Sequence, residues 1–235
     1  MVDASILPFL AEKGHIVSLV GGGGKTTLLY AMADCCAKKG WRTLATTTTH
    51  ILCPGGGRWA QTDARLEALW RSGSYAVAGS AAPAGKLTAP AGQQLADWIS
   101  RSEAVFVEAD GAKHLPCKVP AEHEPVLLPQ CDIVLAVAGL SALGKPLEQV
   151  CFRLKEACRV LSVAPDTLLT PELLARMLAD PQGGRKNVGG RQFHVVLNQA
   201  DTSRRRMLGE QVLCILQQEY GINGFLTSFQ EGERA

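Results

Sequence analysis

The feature that most constrains this chain is a run of four glycines in the stretch VGGGGKTT, from Val20 to Thr27. Glycine loses more conformational freedom on folding than any other residue, so consecutive glycines are costly in an ordered segment. An apolar stretch precedes the run at residues 15–20 and another follows it at residues 28–32. This arrangement predicts a strand, a tight turn and a helix rather than a flexible linker.

The length, charge and cysteine content of the chain narrow its class. Its 235 residues fit one large α/β domain, expected over residues 1–235 with a small helical insertion around 147–190. A formal net charge of +2 gives no electrostatic argument for nucleic acid or an anionic membrane as partner. The eight cysteines form no C-x-x-C pair, no signal peptide is recognisable, and the longest apolar run, residues 133–143, is too short to span a bilayer. We therefore expect a cytoplasmic protein, with its oligomeric state left open.

Apolar runs alternate with segments of helical spacing along the chain. Strands are predicted at residues 16–20, 43–47, 75–78, 105–108, 133–138 and 194–197. The first helix is predicted from Lys25 to a stop at Gly40, with Leu28, Met32 and Cys35 on its buried face. Further helices are predicted at residues 63–72, 93–100, 148–161, 171–178 and 204–220, and loops at 54–57, 81–92 and 182–190. The alternation predicts an α/β fold with a mostly parallel β-sheet flanked by helices, a three-layer sandwich similar to the P-loop NTPases.

In this context the glycine run is typical of a loop that binds phosphate through its backbone and through the start of the following helix. Lys25 is positioned to reach the β- and γ-phosphates of a nucleoside triphosphate, and the Thr26 hydroxyl to ligate its Mg²⁺. The usual glycine six positions before the lysine is Leu19 here, so the shorter pattern G-x-x-G-K-T remains. That core resembles the loop of Mur-type ligases. The predicted nucleotide-binding residues at this loop are Gly21, Gly22, Gly23, Gly24, Lys25, Thr26 and Thr27.

Two carboxylates follow the predicted strand at residues 105–108 in the sequence EADG, which resembles the D-x-x-G switch of P-loop GTPases. Glu108 and Asp110 are both candidates for holding Mg²⁺ or orienting an attacking water. Together with Lys25 they form the predicted catalytic set. Alternatively, the Asp-Gly pair is a turn and Glu108 a solvated strand end.

Threonines and a histidine follow the predicted strand at residues 43–47. The carboxyl end of this strand is expected beside the phosphates, where a hydroxyl could contact Mg²⁺ or the γ-phosphate. The candidates are Thr48, Thr49 and His50, with Thr48 assigned to the metal, although a threonine run is also simply a good strand former.

The sequence NQAD, from Asn198 to Asp201, follows the last long predicted strand and resembles the N-K-x-D element with which GTPases read guanine. Asp201 would accept hydrogen bonds from the base and Asn198 would brace the loop. Gln199 replaces the usual lysine, so guanine is favoured only slightly over adenine. A helix cap formed by Asp201 and its neighbours is the alternative.

A proline-rich segment, residues 111–125, is not required by general phosphate chemistry. Its prolines restrict the backbone and predict an ordered loop rather than a helix. Its alternating charges indicate either a surface for an acidic second substrate or partner, or a salt-bridged loop. The charged or titratable candidates are Lys113, His114, Lys118, Glu122, His123 and Glu124.

These motifs together resemble the YqeC family over nearly the whole chain. The resemblance is carried by SLVGGGGKTTLL (residues 18–29), TTTTHI (46–51), EADGAKHLPCKVPAEHEPVLLP (108–129) and VLNQAD (196–201). It implies an accessory role for selenium-dependent molybdenum hydroxylases, in preparing or inserting their cofactor, with such a hydroxylase or another maturation protein as partner. If the protein contacts selenium, Cys117 is the first cysteine to test.

Three functions follow from the residues. The first is an NTPase with Mg²⁺ and GTP or ATP, acting as a maturation factor. The second is a small-molecule kinase or ATP-dependent ligase with the second substrate at the proline-rich segment. The third is a non-catalytic, nucleotide-gated chaperone or scaffold.

Overall fold

The computed structural model describes residues 2–229. Its strands are β1 (Ile16–Gly21), β2 (Thr43–Thr47), β3 (His50–Leu52), β4 (Trp59–Ala60), β5 (Ala76–Ala78), β6 (Ser80–Ala82), β7 (Lys86–Thr88), β8 (Ala104–Glu108), β9 (Cys117–Lys118), β10 (Ile133–Gly139), β11 (Cys151–Phe152), β12 (Gln192–Asn198) and β13 (Gly224–Leu226). Its α-helices are α1 (Lys25–Lys38), α2 (Asp63–Arg71), α3 (Gly92–Arg101), α4 (Leu147–Val150), α5 (Leu154–Leu161), α6 (Pro171–Ala179) and α7 (Ser203–Tyr220). The ends of the predicted domain, Met1 and residues 230–235, lie outside the described residues.

Eight strands form the central sheet in the order β13-β12-β10-β1-β8-β2-β5-β4. All neighbouring strands in this sheet pair in parallel, which confirms the predicted α/β class with a mostly parallel sheet. Two smaller sheets lie outside it, a pair formed by β11 and β9 and an antiparallel set in the order β3-β7-β6. The six predicted strands are all members of the central sheet, with ends that differ by at most two residues.

The middle strand β10 shows how the core divides into layers. Every residue of β10 is buried, because helices or loops cover both faces of the sheet. Ile133, Leu135 and Val137 pack in one cluster with α1, whereas Val134 and Ala136 pack in another that includes α6 and α7. A third cluster joins α2 and α3 to the β8 and β2 side of the sheet. The result is a three-layer arrangement with the sheet in the middle.

The parallel strands bring several predicted site residues to one edge of the sheet. β1 ends at Gly21, β8 at Glu108 and β12 at Asn198. The register pairs Glu108 with Leu19 of β1 and with Thr47 of β2. Since strands of one direction end on the same side, the glycine loop and the residues after β2, β8 and β12 meet at this carboxyl edge.

Two predictions of local structure were wrong. The helix predicted at residues 148–161 is two helices, α4 and α5, separated by β11 and by Arg153, whose φ is +68°. Pairing of β11 with β9 overrides the helical spacing here. The loop predicted at residues 81–92 contains a hairpin of β6 and β7, which turns at Ala84 and Gly85 and pairs with β3.

A smaller correction concerns the buried face of α1. Leu28 and Met32 are fully buried as predicted, but Cys36 rather than Cys35 completes that face. The predicted stop is present, because Gly40 follows the helix with a φ of +79°. No helix within residues 2–229 is both long and apolar enough to cross a membrane.

Candidate functional site

The glycine loop, residues 21–24, turns from β1 into α1 against the end of β10. Gly21 and Gly23 have φ values of +94° and +73°, which side chains rarely adopt. A Cβ atom on Gly21 would lie 2.4 Å from the Val137 oxygen, and one on Gly23 would lie 2.1 Å from the Gly139 nitrogen. Both positions therefore require glycine, because the loop lies directly on the backbone of β10.

Hydrogen bonds to the rest of the protein hold most of the glycine amides. The amide of Gly21 donates to Asp110 at 3.0 Å, that of Gly22 to the Val137 oxygen at 2.9 Å and that of Gly23 to the Leu115 oxygen at 3.1 Å. In contrast, the amides of Gly24, Lys25, Thr26 and Thr27 have no acceptor among the residues that the structure describes. The donors free to bind an anion are thus at the start of the helix, where the helix dipole also favours negative charge.

A buried cluster of charges lies beneath the glycine loop. The Lys25 ammonium donates to the Gly21 oxygen at 2.6 Å and lies 3.2 Å from Asp110, with Glu108 at 4.0 Å. Asp110 also pairs with Lys118 at 3.1 Å, and its side chain is only 1% exposed. With both of its oxygens engaged by the Gly21 amide and two ammonium groups, Asp110 serves as the counter-ion that holds the loop and Lys25 in place.

Glu108 and Thr26 place two oxygen ligands together at the end of the loop. The Thr26 hydroxyl donates to a Glu108 carboxylate oxygen at 2.6 Å. Burial raises the pKa of Glu108, and the ammonium of Lys25 and the Thr26 hydroxyl oppose that rise. Hydroxyl and carboxylate oxygens are the ligands that Mg²⁺ prefers, so this pair fits the ion better than the fully engaged Asp110 does. Residues 2–229 contain no group of three or more His, Cys, Asp or Glu side chains that could hold a metal, so any Mg²⁺ here would rely on the phosphates and water for its other ligands.

The threonine run divides between the core and the site. The Thr47 hydroxyl donates to the backbone oxygen of Glu108 at 2.9 Å, and the Thr48 hydroxyl donates to the Val126 oxygen at 2.8 Å. Thr48, the predicted metal ligand, does not line the cavity beside the glycine loop, whereas Thr49 and His50 do. This hydrogen bond joins the residue after β2 to Val126, which directly follows the proline-rich segment.

A cavity of about 530 Å³ opens beside the glycine loop. We call residues 22–26 with Glu108 its near wall, and Lys113, His114, Phe152 and Arg153 its far wall. Thr49, His50, Ile51, Leu52 and Lys86, from β3, β7 and the residue before β3, form its roof. The cavity is much larger than a phosphate group needs, so its walls define more than one place for a ligand.

The proline-rich segment contributes to the cavity unevenly. Lys113, His114 and Glu124 line it, whereas Glu122 and His123 are exposed elsewhere. Lys118 is buried behind it, where it pairs with Glu124 at 2.9 Å and with Asp110. Lys118 is therefore a structural link between the segment and the loop cluster rather than a surface charge.

Glu124 is the second acceptor in this buried network. Burial acts to raise its pKa, but the hydrogen bond from the Ala121 amide and the charges of Lys118 and Arg153 lower that pKa to about 2. Arg153 donates to Glu124 at 3.2 Å from its Nε atom. The segment is tied down further by Lys186, whose ammonium donates to the Ala121 oxygen at 2.5 Å. The predicted ordered loop is therefore anchored from several sides.

Asn198 braces the glycine loop, as its predicted role requires. Its side-chain amide donates to the Gly23 oxygen at 2.9 Å, and its oxygen accepts from the Gln199 amide at 2.8 Å and the Thr227 hydroxyl at 3.2 Å. Asp201 accepts from the Ser228 hydroxyl at 2.6 Å. Neither Asn198 nor Asp201 lines the cavity.

Cys117 lies in the interior, where its thiol donates to the Val150 oxygen at 3.2 Å. The neighbouring Cys151 thiol and burial hold the pKa of Cys117 well above its usual range. A buried thiol that stays protonated is a poor nucleophile, so the geometry does not favour Cys117 as a reactive cysteine.

Three charged or aromatic cavity residues were missed by sequence reasoning: Lys86, Phe152 and Arg153. Phe152 and Arg153 fell inside a segment of helical spacing, and Lys86 inside a glycine- and alanine-rich stretch that was interpreted as loop. No pattern local to either segment marks these side chains, because their position depends on pairing with distant strands.

The parallel sheet, with a glycine-rich loop between its first strand and the helix that follows, defines the class: an α/β three-layer protein whose architecture is consistent with the P-loop NTPases. The sequence model of the YqeC family, described as YqeC protein, matches residues 17–155. The uncharacterized protein YqeC of Escherichia coli (strain K12) is 31% identical over 186 residues, which cover 75% of this chain and 72% of that protein. The chain therefore belongs to the YqeC family, as its motifs predicted.

The matched region has a bearing on the site. Residues 17–155 include every residue that lines the cavity, on both walls and the roof. Asn198 and Asp201 lie outside that region. The cavity is thus built entirely from the part of the chain that the family model describes.

Proposed function

We propose that the chain binds a nucleoside triphosphate with Mg²⁺ at the near wall and hydrolyses it. The proposal is carried by one observation: three kinds of group lie together at the start of α1. They are backbone amides that have no acceptor among residues 2–229, the Lys25 ammonium and the hydrogen-bonded Thr26–Glu108 pair. Together these groups supply hydrogen-bond donors, a positive charge and oxygen ligands for a metal ion at one end of a cavity. Phosphoryl transfer depends mostly on such positioning and electrostatic stabilisation.

In this proposal each residue has a stated task. Amides of Gly24, Lys25 and Thr26 bind phosphate oxygens, and the Lys25 ammonium neutralises the β- and γ-phosphates. Thr26 and Glu108 would hold Mg²⁺, which would supply positive charge to neutralise the phosphate groups. Asp110 positions Lys25 and the loop.

Base recognition is proposed for Asn198 and Asp201, which do not line the cavity. Asn198 fixes the loop at Gly23, and Asp201 is the acceptor for the base, with GTP slightly favoured over ATP. As a member of its family, the protein is proposed to use this nucleotide cycle in maturing selenium-dependent molybdenum hydroxylases, by preparing or inserting their cofactor.

Titration calorimetry with non-hydrolysable GTP and ATP analogues, with and without Mg²⁺, tests the nucleotide site. We expect Mg²⁺-dependent binding that Lys25→Ala weakens by about a hundredfold, since hydrogen bonds to charged groups contribute roughly 1.5–3 kcal/mol. Lys38→Ala is the matched control, because Lys38 is in the same helix and pairs with Asp34 at the surface. Unchanged binding by Lys25→Ala, with circular dichroism showing a folded protein, would overturn the proposal.

A second candidate function is transfer of the phosphoryl group, or of an acyl group activated by it, to a small molecule. The far wall favours it, because a hydrolase has no need of a second cationic and aromatic surface in the cavity that the glycine loop lines. Turnover measured with and without added small molecules separates the two, since hydrolysis that never depends on a second molecule would exclude the transferase.

A further inference from the structure

The cavity extends beyond the nucleotide site proposed above. Its near wall is the glycine loop, the start of α1 and Glu108, and its far wall comes from the proline-rich segment and β11. Asn198 and Asp201 do not line the cavity. A nucleotide whose base is bound by Asp201 would not need the far wall for its base, which leaves that wall for a different molecule.

The far wall carries positive charge that the carboxylates of residues 2–229 neutralise only in part. Lys113 is exposed and has no carboxylate within 4.0 Å among residues 2–229. Arg153 gives only its Nε to Glu124, which also pairs with Lys118, so the Nη groups of Arg153 have no acceptor in the described part of the chain. Lys86 on the roof likewise has no ion-pair partner within the described ranges. These cations favour an anionic ligand.

A flat apolar surface lies among these charges. The half-buried ring of Phe152 lies beneath Lys113, whose ammonium is 5.4 Å from the ring centre, and beside Arg153, at 5.0 Å. Ile51 and Leu52 of the roof add further apolar area to the same cavity. A ligand that fits this wall has both an anionic group and a flat or apolar body.

The backbone of the far wall is strained where the cations are. Lys113, His114 and Arg153 have φ values of +48°, +65° and +68°, in a region that residues other than glycine rarely adopt. They are three of only seven such residues in the described part of the chain. Strained residues of this kind are concentrated at binding and catalytic sites, because the fold holds them there at a cost in stability.

We infer that the far wall is a second ligand site, which holds a small anion with an aromatic or other flat body in the same cavity as the near wall. The site takes its charge recognition from Lys113 and Arg153 and its stacking surface from Phe152. This inference rests on the proposed function only for the identity of the molecule at the near wall. The case for a ligand at the far wall depends only on the residues of that wall.

The probe for this site is 4-fluorophenylphosphonate, an anion with an aromatic ring, followed by ¹⁹F NMR line broadening. It is titrated in the presence of Mg²⁺ and a saturating non-hydrolysable GTP analogue, so that the near wall is already occupied. We expect binding that Lys113→Ala and Phe152→Leu each weaken by about tenfold, a loss within the range of cation–π and charged hydrogen-bond contributions. Lys155→Ala is the matched control, because Lys155 is an exposed lysine of α5 outside the cavity.

Two ligand controls separate charge from shape. Inorganic phosphate lacks the ring and fluorobenzene lacks the charge, so each should bind at least tenfold more weakly than the probe. Absence of probe binding, or binding that Lys113→Ala and Phe152→Leu leave unchanged, would overturn the inference. Nucleotide binding is recorded separately by calorimetry, and the probe is also titrated without nucleotide. A protein that binds the probe through Lys113 and Phe152 but no nucleotide would retain the second site and refute the proposed function.

Discussion

The two walls of the cavity are built in opposite ways. On the near wall the charged groups are buried and paired with each other, and Lys25 and Asp110 are 4% and 1% exposed. On the far wall the cations Lys113 and Arg153 line the cavity with donors that have no acceptor among residues 2–229. The near wall is therefore held by its own interactions, whereas the far wall leaves donors free. Under the proposed function, phosphate chemistry and ligand selectivity would be located on separate parts of one cavity.

The largest expected effect is on the near wall, where Asp110→Asn removes the carboxylate between two buried ammonium groups. Lys25 and Lys118 would then lose their shared counter-ion, and removing one partner of a buried ion pair typically costs about 3–5 kcal/mol. Urea denaturation gives the free energy of unfolding. Glu122→Gln, an exposed carboxylate in the proline-rich segment, is the control and should change it by less than about 0.5 kcal/mol. Equal stability of the two variants would contradict the view that paired charges hold the near wall.

A smaller loss is expected where the near wall is braced from β12. Asn198→Asp replaces the amide that donates to the Gly23 oxygen with a carboxylate, leaving that oxygen without its donor. An unsatisfied buried polar group costs about 1–3 kcal/mol, and we expect nucleotide binding to weaken as well. Urea denaturation and calorimetry measure the two effects. Asn223→Asp, at an exposed asparagine, is the matched control, and a loss of the same size there would show that Asn198 has no special role.

Glu124 links the two walls, and its contribution to the free energy of unfolding is expected to depend on pH. Its pKa in the folded protein is about 2, below its ordinary value of 4.5, so its carboxylate stabilises the fold above pH 4.5. This contribution, about 3 kcal/mol, is lost as the pH falls from about 5 to 2. Urea denaturation across that range should therefore show a steeper loss for the wild type than for Glu124→Gln. Glu122→Gln should keep the wild-type slope, and identical slopes for all three proteins would refute the assignment.

The smallest effect on stability is expected on the far wall. Lys113→Ala removes an exposed cation with no carboxylate partner in the described residues, so the free energy of unfolding should change by at most about 0.5 kcal/mol. Thermal unfolding measures this directly. A loss comparable to that of Asp110→Asn would mean that the far wall is structural, and the contrast between the walls would fail.

The sequence predicted the parts of the fold that depend on local patterns. Apolar runs and helical spacing placed the six inner strands and most helices, because each element carries its own periodicity. Two outer strands, β4 and β13, were not predicted, since segments of two and three residues are too short to show a period. The prediction for the region around β11 was wrong for a different reason. The pairing partner of β11 is β9, which lies 34 residues earlier in the chain, so no local pattern shows it.

The site divides along the same line. Glycine, lysine and carboxylate motifs marked the near wall, because their spacing follows from the strand, loop and helix themselves. Sequence alone left Glu108 and Asp110 as competitors for one role, and burial with specific partners distinguishes them. Phe152 and Arg153 could not be found in advance, since their place at the cavity results from a contact between distant segments.

The glycine run has a consequence for any survey of substitutions in this chain. Each glycine faces a different neighbour: Gly21 and Gly23 lie on β10, Gly22 on the backbone of residues 115–117, and Gly24 on the side chain of Asn198. Four identical residues are thus restricted by several different parts of the protein. Gly22→Ala would report on how the proline-rich segment lies against the loop, whereas Gly24→Ala would also strain the backbone, whose φ at Gly24 is +96°. The most uniform stretch of the sequence is therefore the place where β10, the proline-rich segment and the end of β12 all meet.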